Sequence, residues 1–129
     1  MTKEKITSRI KELSGLFPVS DIMDQPMAYY SRGNRQKVAL LAALIDTPKM
    51  LLIDEPIVGL DPTSIDIFGR TLTDFAKNGG TIFFATHTLT FAENYADHAH
   101  IMQNGAITKE AVIHENTSLK KLYDDTIST

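Results

Sequence analysis

The chain has 129 residues, a formal net charge of −3, 43% hydrophobic and 22% charged residues, and no cysteine. That is the composition of one globular domain able to bury a core, and it excludes a disordered chain, disulfides and thiolate metal sites. No basic tract offers footing for nucleic acid, and the longest apolar run, Val38 to Ile45, is far too short to span a bilayer.

The charged start, Met1-Thr2-Lys3-Glu4-Lys5, leads into an amphipathic pattern and is unlike a signal peptide. Ile6, Ile10, Leu13 and Phe17 fall on helical spacing and predict a helix over 3–17, ending near Gly15 to Pro18. Residues 18–30 carry two prolines and no sustained period, which predicts a loop with a short helical turn around Asp21. Ser31 is a good N-cap for a strong helix whose apolar series is Val38, Leu41, Ala42 and Ile45. Pro48 disfavours helix in the residue before it, so the helix should stop at Asp46-Thr47. Met50-Leu51-Leu52-Ile53-Asp54-Glu55-Pro56 then reads as a strand buried on both faces that ends in two acids.

Gly59-Leu60-Asp61-Pro62 is a tight turn, with Asp61 suited to cap the next helix and Pro62 to open it. Ile65, Phe68, Leu72, Phe75 and Ala76 give that helix an apolar face, and Asn78-Gly79-Gly80 ends it. Thr81 to Thr86 is a second buried-strand run with His87 at its carboxyl end. Thr90 to Glu93 has the form of a capping box opening a short helix through Asp97. Residues 98–102 predict a third strand, Asn104-Gly105 a hairpin turn, 106–113 a fourth strand and 118–125 a final short helix.

This order of elements is α/β. The strand that ends in Asp54-Glu55 and the strand that leads into His87 are joined by a crossover helix and should be parallel neighbours, which places Asp54, Glu55 and His87 on one sheet edge. Neighbouring strand residues point to opposite faces, so one acid can hold a metal while the other faces a water. Each feature also has a plain structural reading. Ser31 alone is a helix cap, Gly59 and Pro62 are turn residues, and His87 is a polar strand end. His98 and His100 share a strand face without an evident third metal ligand.

Taken together, Tyr30-Ser31-Arg32-Gly33-Asn34-Arg35-Gln36-Lys37 resembles the signature motif of ABC-type ATPases. Met50 to Glu55 resembles their Walker B strand and catalytic glutamate, Gly59 to Pro62 their D-loop, and His87 their switch histidine. Four blocks in family order and at family-like spacing are far more specific than any one of them. The resemblance implies the C-terminal part of a P-loop NTPase domain. Residues 1–47 would be part of the helical signature subdomain. Residues 48–129 would be the C-terminal part of the RecA-like core, with a parallel sheet and a C-terminal β-hairpin. It implies ATP and Mg²⁺ as cofactors, with Asp54 on the metal, Glu55 on the attacking water and His87 on the γ-phosphate. Ser31, Arg32, Gly33, Asn34 and Asp61 would face the nucleotide of a second ABC ATPase domain. A transmembrane permease would be the coupled partner, met through residues 1–30 at the inner face of the membrane. The alternative is a non-catalytic remnant or interaction module docking on an intact ABC ATPase.

Two departures stand out. Arg32 and Asn34 replace the commoner Gly and Gln, a Tyr-Ser-Arg-Gly variant that leans toward ATPases of the ABC-2 exporter type. Secondly, none of the seven glycines precedes a lysine, so there is no Gly-x-x-x-x-Gly-Lys-Ser/Thr loop to wrap phosphates. Nor is a Q-loop glutamine recognisable, Gln25 being already past its place. The resemblance therefore implies a C-terminal portion that needs a Walker A-bearing half. That half carries a strand lying between the His87 strand and strand 98–102, so without it unpaired edges and apolar faces are expected.

Overall fold

A computed structural model of the chain describes residues 2–19 and 21–127. The elements are α1 (Lys3–Ser14), a 3₁₀ turn (Met27–Tyr29), α2 (Arg32–Ile45), β1 (Met50–Asp54), α3 (Pro62–Lys77), β2 (Thr81–Ala85), α4 (Leu89–Tyr95), β3 (His98–Gln103), β4 (Ala106–Val112) and α5 (Leu119–Ile127). They form two compact units, Met1–Ala85 and Thr86–Thr129. The α/β order, the parallel strand pair and the terminal hairpin are those expected.

In the first unit β1 and β2 pair in parallel, Met50 opposite Thr81 through Asp54 opposite Ala85. The crossover between them is α3, which starts where the sequence says it should. Asp61 caps it, Pro62 occupies its first turn, and Asn78 and Gly79 (φ 88°) close it. Phe68 and Leu72 on α3 are fully buried, and the Phe68 ring meets that of Phe17 at 6.3 Å between centroids. Leu13, Phe17 and Val19 from the α1 end, with Leu40, Leu41 and Leu44 of α2, complete this core. Burying residues such as these contributes roughly 1.5–3 kcal/mol apiece.

The strands are not buried on both faces, as their apolar runs suggest, but show the open apolar face expected where a further layer is absent. Leu51 is buried, but the opposite face of the pair is open: Leu52 is 74% exposed, Phe83 59% and Met50 55%. Leu52 and Phe83 are register partners, so they form one apolar patch. Among the described residues neither strand has a further hydrogen-bonded neighbour. An apolar run shows that a strand suits burial on both faces; it does not supply the second layer.

Two helices differ in detail. The buried stripe of α2 is Gly33, Lys37, Leu40, Leu41 and Leu44, while Ala42 is exposed and Val38 and Ile45 are half-buried. From Val38 onward the helix is apolar on every side, so periodicity there does not select a face. On α3, Ala76 is exposed and Ile65 and Phe75 are half-buried, whereas small Ser64 and Gly69 are buried beside Phe68 and Leu72.

In the second unit, β3 and β4 pair antiparallel around Asn104 and Gly105, both at positive φ, with a register shift after Ile101. The expected capping box at Thr90 is replaced by something else. The N-cap of α4 is Thr88, which makes no side-chain capping bond. Glu93 instead accepts the backbone N–H of Leu119 at 2.6 Å, so it caps α5 rather than its own helix. A sequence-distant donor won the carboxylate.

The open β1–β2 face predicts that the chain alone self-associates. Sedimentation should show concentration-dependent species. Leu52→Lys with Phe83→Lys should shift them toward monomer at unchanged helix content. A wild-type chain that is already monodisperse and unfolds cooperatively would rule this out.

Candidate functional site

The first unit gathers most of the sequence-predicted residues around one turn, Glu55 to Asp61. β1 ends at Asp54, whose carboxylate is exposed. Glu55 follows at φ 46°, in the left-handed region. A residue with a Cβ pays of order 1–3 kcal/mol to stay there. The surroundings hold it: the Glu55 N–H donates to the Ala85 carbonyl at 2.9 Å, extending the β1–β2 ladder by one step. Its own carbonyl accepts from Gln36 Nε2 of α2 at 3.5 Å and from Val58 N at 3.4 Å. Pro56 and Ile57 behind it are buried. The left-handed step ends the strand's alternation, so Glu55 is aimed by a strained backbone rather than by the pleat.

The N-terminus of α2 sits directly on this turn. Ser31 Oγ accepts the Asn34 N–H at 3.1 Å, which confirms Ser31 as a helix cap. Gly33 is buried, and a Cβ there would overlap the Gly59 carbonyl oxygen. Gly59 is itself at φ 85°, and a Cβ on it would lie 3.2–3.4 Å from the Cβ, Cγ and Cδ of Arg32. The two glycines thus let two backbones approach where side chains would hold them apart. The Arg32 stem lies over Gly59, and Arg32 and Asn34 stay near the solvent at the helix end.

Asp61 closes the turn. Its Oδ1 accepts the Ser64 N–H at 3.0 Å and its Oδ2 accepts the Ser64 hydroxyl at 2.6 Å. Lys37 Nζ lies 3.6 Å from Oδ2. The Ser64 hydroxyl bond, then the Ser64 backbone bond, and more weakly the Lys37 charge, hold the carboxyl at about 2, below its ordinary 3.8. Sequence reasoning quoted Gln36 and Lys37 only within the signature block, without a role of their own, and passed over Ser64. Their signal was spacing: Gln36 and Lys37 stand three and four residues after Gly33, on the helix face that meets the turn.

His87 belongs to the second unit. It is exposed at a bend closed by a bond from the Thr88 N–H to Thr86 Oγ1 at 3.0 Å. His98 and His100 do share a face, with His100 Nδ1 3.4 Å from Glu110 Oε1. Among the described residues, no group of three or more potential ligands converges as a metal site. No helix there is long and apolar enough to cross a membrane.

A protein-family model described as "AAA domain, putative AbiEii toxin, Type IV TA system" matches residues 2–93. The chain is 33% identical, over 97% of its own length and 52% of the relative's, to "Putative ABC transporter ATP-binding protein AlbC" of Bacillus subtilis (strain 168). It superposes with a TM-score of 0.88 on a solved "ATP binding subunit of ABC transporter", at 27% identity, over 98% of this chain and 56% of that one. The chain belongs to that AAA-domain family and to the ABC transporter ATP-binding proteins. An ABC ATPase fold is therefore what the parallel pair, the crossover α3 and the hairpin are part of. A nucleotide-free ATP-binding cassette from an ABC transporter gives a TM-score of 0.75 at 30% identity, over 96% of this chain and 48% of that one. The chain spans about half the length of the curated relatives it matches.

The family binds nucleotide and generally uses Mg²⁺, and the residues here suit part of that task. Mg²⁺ takes hard oxygen ligands, keeps several waters and needs only one or two carboxylates beside the phosphates. Asp54, exposed at the end of β1, fits that description. The triphosphate is a different matter, because this sequence has no glycine-lysine loop to cradle it.

Two outcomes follow. Gly33→Ala should destabilise the first unit by about 1–3 kcal/mol through overpacking against Gly59, measured by chemical denaturation; an unchanged midpoint would contradict the close approach. The depressed Asp61 carboxyl implies a contribution to stability that is complete above its unfolded value near 3.8 and lost as pH falls through about 2. Asp61→Asn should flatten the stability profile over that acid window; a profile as steep as wild type would assign the slope elsewhere.

Proposed function

We propose that the chain supplies the catalytic carboxylates and the signature segment of an ATP-hydrolysing ABC transporter subunit. A Walker A-bearing half supplies the phosphate cradle. The observation that carries this reading is the strained Glu55 at the end of β1, held by the Ala85 carbonyl and by Gln36 of the signature helix. A backbone fixed in this way gives the Glu55 side chain a set point of departure, which suits a carboxylate that must orient one water. Glu55 would hold that water and take its proton. Asp54 would hold Mg²⁺, which neutralises phosphate charge when bound. His87 would hydrogen-bond the oxygens of the departing γ-phosphate.

Ser31, Arg32, Gly33, Asn34 and Asp61 would face the nucleotide of a second ABC ATPase domain. Residues 1–47 would act as the signature subdomain and 48–129 as part of the ATPase core. The exposed Leu52–Phe83 face supports a missing layer, since a stable domain covers such a surface. A membrane permease would be the coupled partner, placing the assembly peripherally at the inner membrane face. Met23, Met27 and Tyr29, all exposed, offer apolar contacts in the region expected to meet it. Tyr30-Ser31-Arg32-Gly33 leans toward export, and one relative, at 30% identity, is named "Lantibiotic transport ATP-binding protein SrtF" of Streptococcus pyogenes.

The rival reading is a non-catalytic module that docks on an intact ABC ATPase. It is favoured by the Asp61 carboxylate, already engaged inside this chain by Ser64 and Lys37. Mixing the chain with a Walker A-bearing half decides between them. The mixture should hydrolyse ATP, and Glu55→Gln should lower turnover by about 10²–10⁴-fold while sparing nucleotide binding. Turnover that survives Glu55→Gln would remove Glu55 from its role. A mixture without turnover, with altered activity of an added intact ATPase, would favour the module.

A further inference from the structure

We propose that Lys37 is a positioning residue: a buried cation on α2 that fixes Asp61 and thereby the far end of the turn that begins at Glu55. The inference deepens the ATPase reading above and rests on it. Its starting point is a surplus. Asp61 is complete as a helix cap without Lys37, because Ser64 alone gives it a backbone and a hydroxyl donor. A cap needs no lysine, and bringing an ammonium out of water is costly. Yet the Lys37 side chain is only 11% exposed and ends 3.6 Å from Asp61 Oδ2, while the Asp61 side chain stays 56% exposed. A lysine serving only its own solvation would extend its amine to water. This one is directed at a single carboxylate oxygen.

The neighbouring residues show what that placement does. Gly33, Gln36 and Lys37 lie on one face of α2, and each meets the turn at a different point. Gln36 Nε2 reaches the Glu55 carbonyl, Gly33 abuts Gly59, and Lys37 reaches Asp61. One rigid helix therefore sets both ends and the middle of the segment from Glu55 to Asp61. Asp61 cannot swing toward an outside ligand without leaving Lys37 buried and unpaired, so the pair biases the aspartate toward one position. The ε-ammonium acts through Asp61 and touches no reacting atom.

The test uses the full chain mixed with its Walker A-bearing half, comparing Lys37→Met, Asp61→Asn and the double variant. Lys37→Met removes the charge and keeps the stem. It should lower kcat about 10–100-fold, the scale of a misplaced catalytic group, with KM changed little. The double variant should be no worse than the poorer single, because the two residues act as a unit. A kcat within about twofold of wild type, or a double-variant loss equal to the product of the two singles, would overturn the proposal.

Amide exchange on the full chain reads the same claim without turnover. Lys37→Met should speed exchange at Leu60 and Ser64, whose N–H groups bond Ile57 O and Asp61 Oδ1, and leave α1 unchanged. Unchanged exchange at those two amides, or equal acceleration throughout the chain, would overturn it. If the wild-type mixture shows no turnover, the ATPase reading fails and the exchange result alone judges Lys37.

Discussion

Between Gly33 and Gly59 there is no room for a side chain, and much of the first unit follows from that contact. The N-terminus of α2 rests on the turn that leaves β1, so the helix and the end of the strand share one position. Gln36 and Lys37, one helical turn further along, then fall within reach of Glu55 and Asp61. A larger residue at either glycine would lift the helix and loosen both polar contacts together. The signature-like sequence is thus a packing device in its own right, because its one glycine, Gly33, is set by steric fit inside this chain.

The same contact explains how a strained glutamate is retained. Glu55 sits at positive φ because three neighbours determine its backbone: the Ala85 carbonyl from the next strand, Gln36 from the helix and Val58 from its own turn. Strain of this kind persists only where the surroundings over-determine it. The arrangement supports a water-activating role better than a solvated strand end would. The carboxylates and the signature helix are in this chain, and the phosphate-cradling loop is not in its sequence. The Leu52–Phe83 face of the strand pair is bare, while Leu51 on the other face is buried.

Much of this was legible in the sequence, for local reasons. Asp61-Pro62 opens α3 and Asn78-Gly79 closes it, because capping and turn chemistry act over a few residues. Ser31 caps α2 as its type suggests, and Asn104-Gly105 turns the hairpin. What escaped was decided over distance. Glu93 looked like half of a capping box for its own helix, but the Leu119 N–H, 26 residues away, claims it. The buried face of α2 was ambiguous because Val38 to Ile45 is apolar all round, and Lys37 was read only as the end of the signature block. Leu52 lies on the strand its sequence suggests, but the cover that an apolar run calls for is absent, as the lack of a Walker A segment led one to expect, since hydrophobicity states a preference and not its fulfilment. At Asp61, cap chemistry and the expected ligand role compete for the same oxygens.

The central claim is that this chain is completed by a Walker A-bearing half that covers the β1–β2 sheet. Hydrogen exchange of the β1 and β2 amides, with and without that half, measures it most directly, since exchange reports local opening. The account predicts that adding the half slows exchange in residues 50–54 and 81–85 selectively, by orders of magnitude. Exchange in both strands that is unchanged by the added half, at concentrations that saturate any complex, would contradict it.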